Sequence, residues 1–197
     1  SRSKTALFNR LTGSQQKVAN YAGVTVERKE GRLKTPAGKS VRVLDLPGTY
    51  SLYPRSPDER VTVDVLAGRA KGEKRPDLVV CVVDATNLRR SLRFALAVKR
   101  QGLPCIVALN MIDLAENRGI NIVPEALAAE LGMPVVNTIA IKNLGADALL
   151  ALLDEPAVWR SAALSAESAV SEADPAFVQQ ILQRLGLDAL NPQTVSF

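Results

Sequence analysis

The sequence predicts an α/β domain in which helices cover both faces of a mostly parallel sheet, followed by a small helical appendage. Two runs, residues 77–84 and 104–109, are apolar between their ends and rich in β-branched side chains. Such runs are typical of strands buried on both faces, because neither face meets water. An amphipathic segment at residues 88–101 separates them, and strands that alternate with helices usually pair in parallel. At 197 residues the chain is long enough for one sizeable buried core.

The remaining elements follow from the same periodicities along the chain. Helices are expected where apolar residues recur at helical spacing, and glycines such as Gly13 and Gly132 end them. Pro36 and Gly38 mark a turn between two extended segments, whereas residues 14–23 are polar and unpatterned and predict a long loop. Helices are therefore predicted at residues 5–11, 58–66, 88–101, 124–131 and 147–153, and strands at residues 24–34, 41–46, 77–84, 104–109 and 134–136.

Composition excludes several classes of protein. Hydrophobic residues make up 47% and charged residues 23%, which is typical of a globular chain and not of a disordered one. The chain has no histidine, so histidine metal sites and Ser-His or Cys-His nucleophiles are excluded. Cys81 and Cys105 lie inside apolar runs and are interpreted as buried thiols of a reducing compartment. Because no run of about 18 uncharged apolar residues occurs, this fragment is expected to be soluble.

The net charge of +5 is unevenly distributed along the chain. Residues 161–197 carry a net charge of −3, and the residues before them carry +8. The basic excess is concentrated at residues 69–75 and 89–100. Clusters of this kind bind nucleic acid or an anionic membrane, or form an ordinary solvated surface, and the solvated surface is the favoured interpretation.

Polar residues that follow the strands are the candidate site, because ligands bind beyond the carboxyl ends of parallel strands. The strand at residues 41–46 leads into Asp45-Leu46-Pro47-Gly48. An aspartate there can hold Mg²⁺ through water, and a glycine lets a backbone N–H approach a terminal phosphate. The alternative is a strand followed by a Pro-Gly turn.

A second polar pair follows the strand at residues 104–109. Asn110 and Asp113 form an N-x-x-D pattern with Met111 between them. The amide of such an Asn faces N7 and O6 of guanine, and the carboxylate accepts from N1–H and the exocyclic amine, whereas adenine offers the wrong donors. The alternative is an ordinary βα loop, which is less easily reconciled with two polar residues beside a buried strand.

The chain begins with a partial phosphate-binding motif. Lys4 and Thr5 fit the last two places of G-x-x-x-x-G-K-[ST], while Ser3 occupies the place of the second glycine. In that motif backbone N–H groups cradle phosphates, the lysine neutralises β and γ oxygens, and the hydroxyl binds Mg²⁺. Lysine and threonine, a loop threonine, D-x-x-G, N-x-x-D and a final loop, in this order, are jointly improbable by chance.

The sequence at this point resembles the cytosolic N-terminal G domain of the ferrous iron transport protein B (FeoB) family. The most specific stretch is residues 7–32, which contains the loop motif NYAGVTVE. The motif DLPGTYSL at residues 45–52 is nearly as diagnostic. The resemblance extends to SPDE at residues 56–59 and to NMID, the family's form of the guanine-binding motif, at residues 110–113. The likeness runs from about residue 4 to residue 155 and is weaker in the tail.

The resemblance implies a Ras-like P-loop GTPase fold over residues 1–155, without its first strand, and a shortened guanine-dissociation-inhibitor-like helical segment over residues 156–197. It implies slow GTP hydrolysis with Mg²⁺ on the cytoplasmic face of a bacterial inner membrane. It also implies coupling to a membrane-embedded iron channel and to small cytosolic accessory proteins, with no nucleic acid partner. The resemblance also implies K⁺ as a further cofactor, and the family's potassium-linked Asn stands before the position that matches Ser1.

Residue by residue, the resemblance places a nucleotide along the chain. The implied catalytic residues are Thr25 and Gly48, and Thr5, Thr25 and Asp45 are the implied Mg²⁺ ligands. Thr49 follows Gly48, where Ras-like enzymes have a catalytic glutamine, which implies a slow intrinsic rate. The implied nucleotide contacts are Ser3, Lys4, Thr5, Ala6, Gly23, Val24, Thr25, Asp45, Leu46, Pro47, Gly48, Asn110, Met111, Asp113, Thr138, Ile139 and Ala140.

Two alternatives to a GTPase switch remain. Ser3 adds a Cβ where the backbone must approach phosphate, which suggests a nucleotide-binding module that has lost catalysis. A ribosome-associated or RNA-associated GTPase would use the basic clusters, although aromatic residues for base stacking make up only 4% of the chain.

Overall fold

The computed structural model describes residues 2–13, 15–49, 51–138, 146–160 and 175–187. The helices are α1 (Arg2–Thr12), α2 (Pro57–Ala67), α3 (Leu88–Arg100), α4 (Ile112–Asn117), α5 (Pro124–Leu131), α6 (Ala146–Leu152) and α7 (Pro175–Arg184), with a 3-10 helix at Pro156–Trp159. The strands are β1 (Gln16–Asn20), β2 (Glu27–Lys34), β3 (Ser40–Asp45), β4 (Val79–Asp84), β5 (Cys105–Asn110) and β6 (Val135–Asn137).

A parallel sheet in the order β4-β5-β6 forms the centre of the molecule. Its middle strand β5 is buried along its first five residues, and alternate side chains of a strand point to opposite faces. On one face Cys105 and Val107 pack with α3, α5 and α7, and on the other Ile106 and Ala108 pack with α1 and α6. Helices therefore cover both faces of the parallel sheet, and the predicted fold class is confirmed.

The second sheet is antiparallel, in the order β1-β2-β3. The predicted strand-turn-strand at residues 24–46 is present as β2 and β3. The structure differs from the predicted loop at residues 14–23, because β1 pairs along its whole length with β2. Four of the five residues of β1 are exposed, so no alternation of apolar and polar side chains marks it in the sequence. Its strand conformation follows from backbone bonds to β2, and the Gln16 side chain adds hydrogen bonds to Asn9 and Thr12 of α1.

The two sheets share a core but no ladder of backbone hydrogen bonds. In the described ranges the ladder bonds join strands within each sheet, and none joins β3 to β4. Leu33 of β2, Leu7 of α1 and Ile106 of β5 belong to one buried cluster. Helix α1 approaches β2 closely at Gly31, where an added Cβ would lie 2.4 Å from Cγ2 of Thr12. Side-chain packing around α1 therefore holds the two sheets together.

Helix α2, predicted at residues 58–66, begins at a side-chain cap and ends at a glycine. The Ser56 hydroxyl accepts from the Glu59 N–H at 3.2 Å, which caps the first turn, and Pro57 takes the first helical position. Gly68 ends the helix with φ of 75°, a conformation that glycine adopts without a steric penalty. Ser56 and Gly68 thus set the bounds of the helix that lies beside the loop following β3.

Candidate functional site

The start of α1 meets the carboxyl end of β3. The Lys4 ammonium lies 3.0 Å from the Asp45 carboxylate and donates to the Leu46 carbonyl. Both side chains are largely shielded from water, with 28% of Lys4 and 14% of Asp45 exposed. We call Lys4, Thr5, Asp45 and Leu46 the α1–β3 cluster. It joins two motifs that lie some forty residues apart in the sequence.

Tyr21 ties the end of β1 to the same cluster. Its ring is buried, and its hydroxyl donates to the Asp45 carbonyl at 3.3 Å. Burial, reinforced by the nearby Glu73 carboxylate, raises the pKa of Tyr21 well above its ordinary value, so the hydroxyl stays protonated and remains a donor. The position of Asp45 is thereby linked to the β1–β2 connection.

That connection, residues 21–26, forms a tight hairpin tip. The Tyr21 N–H donates to the Val26 carbonyl at 3.0 Å, and the Val24 N–H donates to the Tyr21 carbonyl at 3.2 Å. Tyr21 and Val26 are buried against Val61 and Val65 of α2. Thr25 is exposed at the tip, and the described contacts include none between it and Thr5 or Asp45.

The loop after β3 is hydrogen-bonded to α2. The Thr62 hydroxyl donates to the Pro47 carbonyl at 2.7 Å, which fixes the residue before Gly48. Gly48 itself is exposed. The Thr49 hydroxyl donates to the Ser51 carbonyl at 2.9 Å and lies 3.4 Å from the Glu59 carboxylate. Helix α2 therefore contacts both the hairpin tip and this loop.

A second cluster lies at the carboxyl end of β5. The Met111 N–H donates to Asn110 Oδ1 at 2.8 Å, and Met111 has φ of 60° and ψ of 30°. It is the one non-glycine residue with positive φ in the described ranges. A non-glycine residue in this conformation is strained and occurs often where a chain grips a ligand. The turn places Asp113, which is exposed, in the first turn of α4.

Thr138 completes this second cluster from the end of β6. It is 2% exposed, and both its N–H and its hydroxyl donate to the Leu109 carbonyl, at 2.7 and 3.0 Å. We call Asn110, Met111, Asp113 and Thr138 the β5–β6 cluster. The predicted residues Ile139 and Ala140 lie outside the described residues.

The residue types of the α1–β3 cluster fit a magnesium site. In the described part of the chain no group of three or more His, Cys, Asp or Glu side chains could enclose a metal ion. Mg²⁺ does not require such a cage, because one or two protein oxygens together with phosphates and waters complete its coordination. The shielded Asp45 carboxylate, 14% exposed, and the hydroxyl of Thr5, the residue after Lys4, are oxygen donors of the kind that it prefers.

Sequence reasoning missed three contributors to these clusters: Tyr21, Thr62 and Glu59. Tyr21 lies in a segment that its polar residues predict to be a loop. It is buried because α2, which follows more than thirty residues later, packs against it. In the sequence Thr62 is an ordinary helix residue. Only the structure shows that its hydroxyl bonds to the Pro47 carbonyl. Glu59 stands out in the sequence only as part of the family resemblance at residues 56–59, and its contact with Thr49 depends on how the loop after β3 folds.

The chain is similar to known proteins both in sequence and in structure. The family model described as ferrous iron transport protein B matches residues 2–153. The Fe(2+) transporter FeoB of Escherichia coli strain K12 is 47% identical over 156 residues, which is 77% of this chain and 19% of that protein. The chain thus spans about a fifth of the length of the curated relatives that it matches. Within the described residues, no helix combines the length and apolar character needed to cross a bilayer.

Two solved structures of similar shape are of nucleotide-bound forms of a FeoB cytosolic domain. The cytosolic domain of the T. maritima FeoB iron transporter in its GMPPNP form aligns with a TM-score of 0.73 and 28% identity, covering 92% of this chain and 94% of that one. The same domain in a GDP form aligns with a TM-score of 0.71 and 28% identity, covering 91% of each chain.

Proposed function

This chain belongs to the ferrous iron transport protein B family, and we propose that it is the part of a longer Fe²⁺ transporter that binds guanine nucleotides and hydrolyses GTP. The observation that carries the proposal is the meeting of Lys4 with Asp45, 3.0 Å apart. In P-loop GTPases the corresponding lysine contacts phosphate and the aspartate serves Mg²⁺. The contact between them supports the proposal, because two motifs that would act on the same phosphates lie together.

The α1–β3 cluster would hold the phosphates and Mg²⁺. Lys4 would neutralise the β and γ oxygens, and the backbone N–H groups from Ser3 to Ala6 lie at the positive end of α1. Thr5, Asp45 and, from the hairpin tip, Thr25 would hold Mg²⁺, which when bound offsets the negative charge that develops on the phosphates. Phosphate competes with the Asp45 carboxylate for the Lys4 ammonium, so this ion pair exchanges partners when nucleotide binds.

The β5–β6 cluster would read the base. Because Asn110 Oδ1 accepts from the Met111 N–H, the amide NH₂ is the group turned to donate to N7 and O6 of guanine. Asp113 would accept from N1–H and the exocyclic amine. The Thr138 segment would support the guanine carbonyl with a backbone N–H, and the described bonds of Thr138 fix where that segment starts.

Hydrolysis would depend on backbone groups more than on a side-chain base. The Gly48 N–H and Thr25 would converge on the γ-phosphate when the hairpin tip closes, and Thr49 stands where a water-orienting glutamine would stand. A slow intrinsic rate is the expected result. Phosphate release measured at saturating GTP tests this step, and GDP binding without any turnover would instead identify a binding module that has lost catalysis.

Base selectivity tests the proposal as a whole. Asp113→Asn should weaken GDP binding and shift preference toward xanthosine diphosphate by at least about a hundredfold, because the exchanged amide matches the altered edge of that base. Isothermal titration calorimetry with GDP, ADP and xanthosine diphosphate measures the shift. The matched control is Asp77→Asn, an exposed aspartate that pairs with Lys74 at 3.3 Å. Equal affinity of the unaltered chain for ADP and GDP would refute the guanine assignment.

Coupling of nucleotide state to Fe²⁺ uptake is the wider role that we propose. It is supported by the membership of this chain in a family whose matching relatives are Fe(2+) transporters. The membrane portion of such a longer protein would be the direct partner, with this domain on the cytoplasmic face.

A further inference from the structure

The two basic clusters of the sequence, residues 69–75 and 89–100, are neighbours in the structure. Arg75 connects them: its Nε donates to the Leu66 carbonyl at the end of α2 at 3.0 Å, and its guanidinium also donates to the Gln101 carbonyl just after α3. The loop after α2 therefore lies against the last turn of α3. Neither cluster belongs to the α1–β3 or the β5–β6 cluster.

Helix α3 separates its apolar and its basic residues. Leu92, Ala95 and Leu96 are completely or almost completely buried against the parallel sheet. At about 100° per residue, Arg93 and Arg100 lie within about 20° of one another around the helix axis. Arg90 lies about one sixth of a turn further round.

We call Arg90, Arg93 and Arg100 the basic face. Arg90 and Arg93 are exposed and Arg100 is half-buried. The sequence of α3, LRRSLRFALAVKR, contains five basic and no acidic residues. The face therefore carries positive charge along most of the length of the helix.

The neighbouring helix α7 adds no negative charge to this surface. It packs against α3 through buried residues such as Val178 and Ile181, and its Gln179 accepts from Arg89. Its sequence, PAFVQQILQR, contains no acidic residue. Its one arginine, Arg184, is bonded to Glu130 of α5 at 2.8 Å. Neither α3 nor α7 therefore contributes a carboxylate to this surface.

We propose that the basic face binds the anionic headgroup surface of a lipid bilayer. The proposal rests on the proposed function in one respect: the domain of a membrane transporter lies close to a membrane. Each cationic side chain held near an anionic lipid surface raises binding about fivefold, and the effect decays within roughly 10 Å at 0.1 M salt. Three arginines on one rigid helix face satisfy both conditions, since they approach a flat surface together.

The chemistry of the face favours lipid over single-stranded nucleic acid. Nucleic acid surfaces of that kind combine basic groups with aromatic rings on which bases stack. Phe94 of α3 and Phe177 of α7 are half-buried and packed against the core. None of the three arginines belongs to the β5–β6 cluster, and bilayer contact at the basic face is expected to leave nucleotide binding there intact.

Sedimentation with lipid vesicles tests the proposal. The 197-residue chain is mixed with vesicles of phosphatidylglycerol and phosphatidylcholine in equal parts, and separately with phosphatidylcholine alone. We expect binding to the anionic vesicles only, weakening as salt is raised. The variant Arg90→Gln, Arg93→Gln, Arg100→Gln should lose at least about tenfold in binding.

The matched control removes the same charge elsewhere. Arg10→Gln, Lys17→Gln, Lys34→Gln changes three exposed basic residues of α1, β1 and β2 and should weaken vesicle binding less than about threefold. Equal losses in the two triple variants would show attraction by net charge alone and would overturn the proposal. Absence of binding at low salt, or displacement of the chain from vesicles by single-stranded RNA in slight excess, would overturn it as well.

Nucleotide binding keeps this test separate from the proposed function. Both triple variants should bind GDP as the unaltered chain does and show unchanged thermal unfolding, because the altered side chains lie outside both clusters. Loss of GDP binding in all three proteins would count against the guanine assignment, whereas loss of vesicle binding alone concerns the basic face.

Discussion

At the scale of single residues, the Thr49 hydroxyl serves the loop that follows β3. It donates to the Ser51 carbonyl and lies beside the Glu59 carboxylate, so its bonding capacity is used within the loop. Thr49→Ala should leave GTP hydrolysis unchanged within about twofold, while a lost local hydrogen bond lowers the free energy of unfolding by roughly 1 kcal/mol. Single-turnover hydrolysis, with GTP affinity measured in parallel, checks the expectation.

The conservative variant Thr49→Ser keeps the hydroxyl and serves as the control. Removing a group that stabilises the transition state costs on the order of a hundredfold in rate. A loss of that size in Thr49→Ala, with GTP affinity intact and Thr49→Ser active, would show that the hydroxyl takes part in the reaction.

At the scale of elements, the hairpin tip and α2 form one packed unit. Tyr21 and Val26 at the two ends of the tip contact Val61 and Val65, and Thr62 of the same helix holds the Pro47 carbonyl. The exposed residues between these anchors include Gly23 and Thr25. A movement of the tip toward the α1–β3 cluster is therefore expected to disturb the loop after β3 as well.

Hydrogen exchange tests this coupling. A non-hydrolysable GTP analogue with Mg²⁺ should slow amide exchange at residues 22–25 and 48–59 together, by about tenfold or more, because a γ-phosphate orders both segments. The control ligand is GDP, which lacks the γ-phosphate and should protect these segments less. The backbone of β5, buried in the parallel sheet, should exchange equally slowly in both complexes. Unchanged exchange in either segment with the analogue would contradict the coupling.

At the scale of the whole molecule, the two sheets depend on a shared core in place of shared hydrogen bonds. Leu7 of α1 is 4% exposed in the cluster that contains Leu33 of the antiparallel sheet and Ile106 of the parallel sheet. Leu7→Ala should lower the free energy of unfolding by about 3 kcal/mol, since it removes buried methyl groups and leaves a cavity. Denaturant titration followed by far-ultraviolet circular dichroism measures the loss.

The same experiment shows whether the sheets unfold together. Trp159, the sole tryptophan, packs against this cluster and donates to the Leu153 carbonyl, so its fluorescence reports on the shared core. Fluorescence and circular dichroism should give one coincident transition in the unaltered chain and in Leu7→Ala. Leu114→Ala, at a side chain 39% exposed, is the control and should change stability by less than about 1 kcal/mol. Two separated transitions would refute a single cooperative core.

The division of residues 1–155 and 156–197 into two domains stays a prediction at this scale. The structure shows that α7, from the second of these segments, packs against α3 through Val178 and Ile181. Its contact with α5 through Arg184 adds an ion pair to that packing. Within the described residues, this part of the tail shares the core of the parallel sheet.

The sequence by itself determined the elements whose signals are local. The apolar runs of β4 and β5 and the amphipathic pattern of α3 each depend on neighbouring residues, so the fold class and most boundaries could be predicted. The order of the motifs also predicts one candidate site from Lys4, Asp45 and Asn110, and the structure brings Lys4 and Asp45 into contact. These residues sit at ends of helices and strands, and the ends are what such patterns mark.

Only the tertiary structure decided the features that depend on distant partners. β1 is a strand because β2 offers it backbone partners, although most of its side chains are exposed and show no period. Tyr21 is buried by α2, and two basic clusters become neighbours because Arg75 reaches the end of α3. The physical reason is common to all three: backbone pairing, burial and charge proximity are set by groups far away in the chain, and a local pattern carries no record of them.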